Sequence, residues 1–261
     1  TAVVKGKPIG TFYSYRFVGL NPLDGGPMFD DYFDHYQDLA GLSKYDTYTT
    51  VLAATGSREP YMSGSFTARL RWKRLHVSAN FAYSLGAKTR LFGMYSSEGE
   101  GEGGGVYMSP AEIWPANNLS RDYLNRWMKP GDELHTNIPA IIGKGHPSYF
   151  DYSQHWSNTG VSEDLGIQSI ANNLWDMYDY SDVRVVSADY LKLSSVNISY
   201  EFPLEWIKSF GLSRLELHAS GNNLHTWCDR NLKGQTPTQG GFTTIQLSDR
   251  PSFSFGINVS F

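Results

Sequence analysis

Of 261 residues only one is cysteine, Cys228, so no internal disulfide can staple the fold. No catalytic-cysteine motif surrounds it, and a nucleophilic thiol is not expected. No run of about 18 apolar residues occurs, which excludes a bundle of membrane-spanning helices. Lys and Arg form no cluster and the formal net charge is −4, so nothing resembles a phosphate footprint and no nucleic-acid partner is expected. The seven histidines (35, 76, 135, 146, 155, 218, 225) include no His-Glu-x-x-His and no close pair of zinc spacing. A Gly-x-Ser-x-Gly elbow is missing too. The chain is therefore expected to be no enzyme and to hold no catalytic metal. Its start, TAVVKGKPIGTF, has no basic region followed by an apolar stretch, which suggests a mature chain or a piece of one.

Aromatics and glycine are plentiful: 17 Tyr, 14 Phe and 26 Gly. Several segments alternate apolar and polar residues, the period of a β-strand with two unlike faces. In SGSFTARLRW, Phe66, Ala68, Leu70 and Trp72 oppose Thr67, Arg69 and Arg71. In LHVSANFAYSL, Leu75, Val77, Ala79, Phe81, Tyr83 and Leu85 oppose His76, Ser78, Asn80 and Ser84. Only Lys73 and Arg74 separate these runs, the length of a tight hairpin turn. Val196, Ile198, Tyr200 and Phe202 share a face in DYLKLSSVNISYEF, and Leu215, Leu217 and Ala219 in SRLELHASGNNL. The last segment, PSFSFGINVSF, sets Phe253, Phe255, Ile257, Val259 and Phe261 against Ser254, Gly256, Asn258 and Ser260. A further strand is expected through TFYSYRFVGL, residues 11–20.

These runs span about 9–13 residues, against roughly 5–6 for an ordinary strand and 9–11 for one crossing a bilayer. Their polar faces carry full charges (Arg69, Arg71, Glu201, Arg214, Glu216), while the other faces are aliphatic with aromatics near the ends, as in a wet lumen opposite a lipid belt. The connections are lopsided. Lys73-Arg74 and PLEWIKSFGL are short; the stretches near 21–60, 87–188 and 226–249 are long, like the external loops of outer-membrane barrels. The fold class expected is all-β, a partial transmembrane barrel with long extracellular loops. About five or six strands cannot close a barrel, which needs at least about 8. A soluble or surface-attached β-sandwich that binds carbohydrate is the alternative.

Two constellations yield to plainer readings. GEGEGG (99–104) fits G-x-G-x-x-G, but Glu100 and Glu102 would repel phosphate and no helix follows, so it reads as an external loop. LDGGPMFDDYFDHYQD offers Asp24, Asp30, Asp31, Asp34, His35 and Asp38 without EF-hand spacing. It reads as an acidic surface loop with a structural Ca2+ as the alternative; no other cofactor is expected.

SADYLKLSSVNISYEFP (187–203), GLSRLELHASGNNLHTW (211–227) and RPSFSFGINVSF (250–261) resemble the carboxy-terminal end of SusC/RagA-type TonB-dependent transporters. GKPIGTFYSYRFVGLNPLDGGPMF (5–29), GSREPYMSGSFTARLRWKRLHVSANFAYSLGAK (56–88) and YLNRWMKPGDELHTNIP (123–139) fit the same family in the same order. The stretches near 30–55, 89–120 and 140–180 do not take part.

The resemblance implies that residues 1–261 are a carboxy-terminal segment of one barrel domain of 22 strands. The plug and the amino-terminal barrel half lie outside the sequence. It implies an outer-membrane, multi-pass location in a Gram-negative bacterium and a SusD-like surface lipoprotein as partner. A TonB complex would act through the absent amino-terminal part. The function implied is energised import of oligomeric nutrients, with oligosaccharides expected over peptides. Phe66, Leu70, Val77, Phe81, Ile198, Leu217, Phe255 and Ile257 are expected to face lipid. Phe261 would be the terminal aromatic read by the assembly machinery. Flat rings among polar neighbours suit sugars, so Trp114, Tyr149, Trp156 and Trp175 are the candidate ligand-binding residues, although such rings also pack loops together.

Overall fold

The structure is a computed structural model that describes residues 4–94, 121–143, 145–156, 173–239 and 250–261. Trp114 and the GEGEGG segment lie outside the described residues. The chain divides into two compact units: residues 1–58, 90–186 and 241–244 form one, and 59–89, 187–240 and 245–261 the other.

The second unit is built on one antiparallel sheet of five strands. These are β5 (Met62–Trp72), β6 (Leu75–Leu85), β9 (Tyr190–Glu201), β10 (Arg214–Cys228) and β11 (Ser252–Ser260), in the order β11-β10-β9-β6-β5. Each neighbour in the sheet is the neighbour in sequence among these strands, an up-and-down meander. Lys73, with φ 53, opens the two-residue turn between Trp72 and Leu75. Between β9 and β10 the short helix α4 (Leu204–Ile207) starts after Pro203, whose fixed φ suits a helix entry, and a further 3-10 turn stops at Gly211 with φ 74. β5 and β11 form the edges. Five strands cannot close a barrel on their own.

The first unit holds the strands β1 (Thr11–Ser14), β2 (Arg16–Leu20), β3 (Pro27–Asp30) and β4 (Ala53–Ser57). It also holds the helices α1 (Lys44–Val51), α2 (Tyr149–Ser153) and α3 (Leu174–Asp179). The short strands β7 (Lys88–Arg90) and β8 (Val185–Ser187) fall where the chain passes from one unit to the other. Here the structure corrects one expectation. Residues 11–20 do not form a long strand of the sheet: they break at Tyr15 into β1, which pairs with β4, and β2, which pairs with β3. Tyr15 instead bridges to Ser181. The reason is burial on both faces, since Thr11, Phe12, Ser14 and Tyr15 are all buried; a barrel strand would leave one face to lipid.

The long connections form cores of their own. α3 is apolar on two adjacent faces, with Leu174 and Met177 three residues apart on one and Trp175 and Tyr178 on the next. The first pair joins Tyr15, Leu39, Val51, Leu52 and Trp156. The second joins Leu20, Tyr123, Trp127, Ile138 and Ile142 among others. A helix apolar most of the way round belongs in an interior. Asn173 caps it by accepting from the Asp176 N–H at 2.7 Å.

Candidate functional site

Register decides which side chains share a face of the sheet, because directly opposed residues point the same way. Leu70 stands opposite Val77, Val77 opposite Ile198, Ile198 opposite Ala219 and Ala219 opposite Phe255. The next row is Trp72, Leu75, Tyr200, Leu217 and Ile257. Phe66 opposes Phe81, their rings stacked with centroids 4.8 Å apart. All eight residues expected to face lipid thus lie on one face. Most of the large ones are exposed, Phe255 to 82% and Leu70 to 63%. An apolar face of this extent, running across every strand, marks a surface that meets something other than water. Phe261, just beyond β11, is 91% exposed.

The sequence pattern alone misses one feature of this face. In β9 the apolar positions run Leu191, Leu193, then Val196, Ile198, a break in the period of two. The register slips by one residue there: Asn80 opposes Ser195 but Phe81 opposes Leu193. β10 compensates at Asn223, whose φ is 53, so that His225 opposes Leu193 and Trp227 opposes Leu191. An extra residue in one strand turns the following side chains to the other face. The slips therefore keep Leu191, Leu193 and Trp227 in line with Tyr83 and Phe81.

The opposite face is polar. Thr67 donates to Asn80 at 2.7 Å, and Asn80 donates to Ser195 at 2.7 Å. Arg214 meets Glu201 at 3.7 Å and Glu216 at 3.1 Å. Arg69, Arg71, His76 and His218 line a hollow of about 570 Å³ floored by Ser78, Asn197, Ser199 and Ser220.

The candidate ligand aromatics lie elsewhere, in the first unit. Trp175 is 1% exposed and Trp156 6%, each inside one of the two cores. Tyr149 is half-buried against the Trp175 ring, with centroids 5.9 Å apart. Trp156 and Trp175 thus pack within the unit, whereas Tyr149 keeps part of its surface open. Trp127 is also buried, its indole N–H donating to Glu133 Oε2 at 3.0 Å. Together with its own backbone N–H, that bond holds the Glu133 carboxyl below its ordinary 4.5.

The acidic segment binds protein groups. Asp24 accepts from the Tyr152 hydroxyl at 2.8 Å, from Ser148 Oγ at 2.8 Å and from the Gly26 N–H at 3.1 Å. Burial pushes the Tyr152 hydroxyl up, and Asp24 adds to it. Asp31 meets His155 Nε2 at 2.9 Å, and that imidazole stacks on Phe33 at 4.0 Å. Asp30 reaches Arg16 at 3.4 Å. Among the described residues no three of His, Cys, Asp or Glu gather to hold a metal ion.

Two buried arginines, which no local pattern distinguishes, brace this unit. Arg90 donates to Ser14 Oγ at 2.9 Å and the Tyr13 carbonyl at 3.1 Å, and its guanidinium lies 5.2 Å from the Tyr180 ring centre. Burial lowers it to about 10, which leaves it charged at neutral pH. Arg184 lies 3.9 Å from both Asp179 and Asp122, while Asp179 accepts from the Met94 N–H at 2.8 Å. These contacts tie residues 13–14, 90–94, 122 and 179–184 to one another.

No protein-family model and no curated protein matches the chain. Solved structures do. The chain is similar in its whole length to the RagAB peptide importer in its open-open state, with a TM-score of 0.54 and 18% identity. It covers 25% of that chain. The closed-closed state of the same importer gives a TM-score of 0.55 and 16% identity over the whole length. A further structure of the RagAB peptide transporter gives 0.55 and 17%, with 96% of this chain covered and 23% of the other. The chain has the fold of about one quarter of the chain it matches in these RagAB structures.

Proposed function

We propose that the chain is part of an outer-membrane importer of oligomeric nutrients, energised through TonB and working with a SusD-like surface lipoprotein. One observation carries the reading: strands of 9 to 15 residues align a continuous apolar face on one side and a charged, hydroxyl-rich face on the other. A soluble sandwich would bury the apolar face against a second sheet. The remaining strands of the barrel come from polypeptide outside this sequence. Import here is binding and passage, with no covalent step assigned to any residue.

For the cargo we propose peptides. Of the loop aromatics that would suit a sugar, Trp156 and Trp175 are occupied in cores. The similar structures are of peptide importers. Deleting the complete transporter gene in its host should abolish growth on oligopeptides as sole amino-acid source and leave growth on oligosaccharides intact. The reverse result assigns the cargo to glycans. Recovery of the whole protein in the aqueous fraction without detergent refutes the membrane reading altogether.

A further inference from the structure

The short-turn edge of the five-stranded sheet is stepped. On β5 and β6 the last pair on the apolar face is Trp72 opposite Leu75, and their row continues through Tyr200 and Leu217 to Ile257. The β9–β10 pairing runs two residues past that row before its turn: the Phe202 N–H donates to the Leu215 carbonyl at 2.9 Å, and Leu215 stands opposite Val259. β11 carries the apolar face further still, so that Phe261, just beyond it, lies four residues past Ile257. The edge therefore recedes by two residues with each hairpin, and by four over the four strand-to-strand steps from β5 to β11. Each step ends on an aromatic ring: Trp72, then Phe202, packed edge-on against Tyr200 with centroids 5.1 Å apart, then Phe261. Cations follow at once. Lys73 Nζ lies 5.4 Å from the Trp72 ring centre, and Arg74 donates to the Phe202 carbonyl at 3.2 Å. Apolar band, aromatic ring, then cation is the order met where hydrocarbon gives way to headgroups.

We propose that the line Trp72–Phe202–Phe261 is where one interface of the bilayer crosses the sheet, so that the strands lean and residues of one register row lie at different depths. The proposal rests on the outer-membrane reading and deepens it by placing the boundary of the lipid partner on this chain. Strands stand about 4.8 Å apart and rise about 3.4 Å per residue, so the step is about 14 Å over about 19 Å, a lean of about 35°. A closed barrel needs a lean of about 35–45°, and here pairing within five strands sets it. The stepping is independent of what covers the polar face. Along strands so inclined, four residues gain about 11 Å of depth. Ile257 therefore lies about 11 Å inside the interface, although it shares a row with Trp72, which lies on it.

The test uses the complete transporter in phospholipid vesicles, its native cysteines replaced by serine, Cys228 included. Trp72→Cys, Ile257→Cys and Phe261→Cys are made singly and given a nitroxide label. Depth is read from the label's accessibility to oxygen, which concentrates in hydrocarbon, against that to a water-soluble nickel chelate. The Trp72 and Phe261 labels should report one shallow depth, and the Ile257 label a depth about 11 Å greater. Equal depths at Trp72 and Ile257, with Phe261 further out, mean upright strands and overturn the proposal. Should Phe261→Cys fail to assemble, Phe202→Cys takes its place: a depth equal to that at Trp72 supports the lean, and a depth further out overturns it. If all the labels, Ile257 included, meet the nickel chelate freely and gain no oxygen enrichment, lipid does not cover this face. That result refutes the outer-membrane reading itself, and the proposal falls with it.

Discussion

Phe255 and Ser254 are adjacent on β11 and point to opposite faces of the sheet, which makes them a matched pair for testing what covers each face. Phe255 opposes Ala219 and Ser254 opposes Ser220. Both sit near the middle of a strand of 9 residues, whose length of about 30 Å is that of a bilayer's hydrocarbon core before tilt. Phe255 is 82% exposed in the structure. Were water its neighbour, exchanging it for arginine would shift stability by no more than about 0.5 kcal/mol, as at most surface positions. With lipid as its neighbour, an arginine near the midplane costs about 2–4 kcal/mol. Ser254→Arg places the same charge on the polar side and should cost about 0–0.5 kcal/mol. The expected gap between the two variants is therefore ~1.5–4 kcal/mol, a factor of roughly 10 to 900 in the folded-to-unfolded ratio. It can be read from guanidinium midpoints of the complete barrel in phospholipid vesicles. Coincident midpoints for Phe255→Arg and Ser254→Arg would show that lipid does not cover this face. Leu70→Arg, four strands away in the same row, provides an independent repeat.

Two further predictions concern the first unit. Trp175→Ala removes a ring that is 1% exposed and touches Tyr149 and Tyr152, and should cost about 3–5 kcal/mol through cavity formation. Uptake should then fall only in proportion to the amount of folded protein; loss of uptake at unchanged stability would return this ring to the ligand. Glu133 is held below its ordinary 4.5 in the folded protein, so its contribution is complete above that value and is lost as pH falls through the lowered one. Between pH of about 6 and about 3 the wild type should lose more thermal stability than Glu133→Gln, and identical losses would show that the Trp127 bond is inconsequential.

The alternation of large apolar and small polar residues from Phe66 to Leu85, and again from Phe253 to Val259, was enough to define strands, faces and the Lys73-Arg74 turn. Strand identity is a local property here: the period of two and the turn length are written in neighbouring residues. The families of motifs added the barrel, which the fold of the similar structures supports. Other decisions are made over long distances. TFYSYRFVGL alternates well enough to pass for a barrel strand. Its fate as β1 and β2 is settled by Ala53–Ser57, Pro27–Asp30 and Ser181, which bury both of its faces. Trp156 sits among polar residues in sequence and Trp175 in a short apolar helix, yet partners more than a hundred residues away enclose both, such as Leu39 for the one and Leu20 for the other. The same holds for the polar face. The sequence by itself placed Arg69, Arg71, His76 and His218 on polar sides of separate strands. Only the register of β5, β6, β9 and β10 brought them side by side on one face, because which strands lie side by side, and with what offset, is fixed by pairing between distant segments.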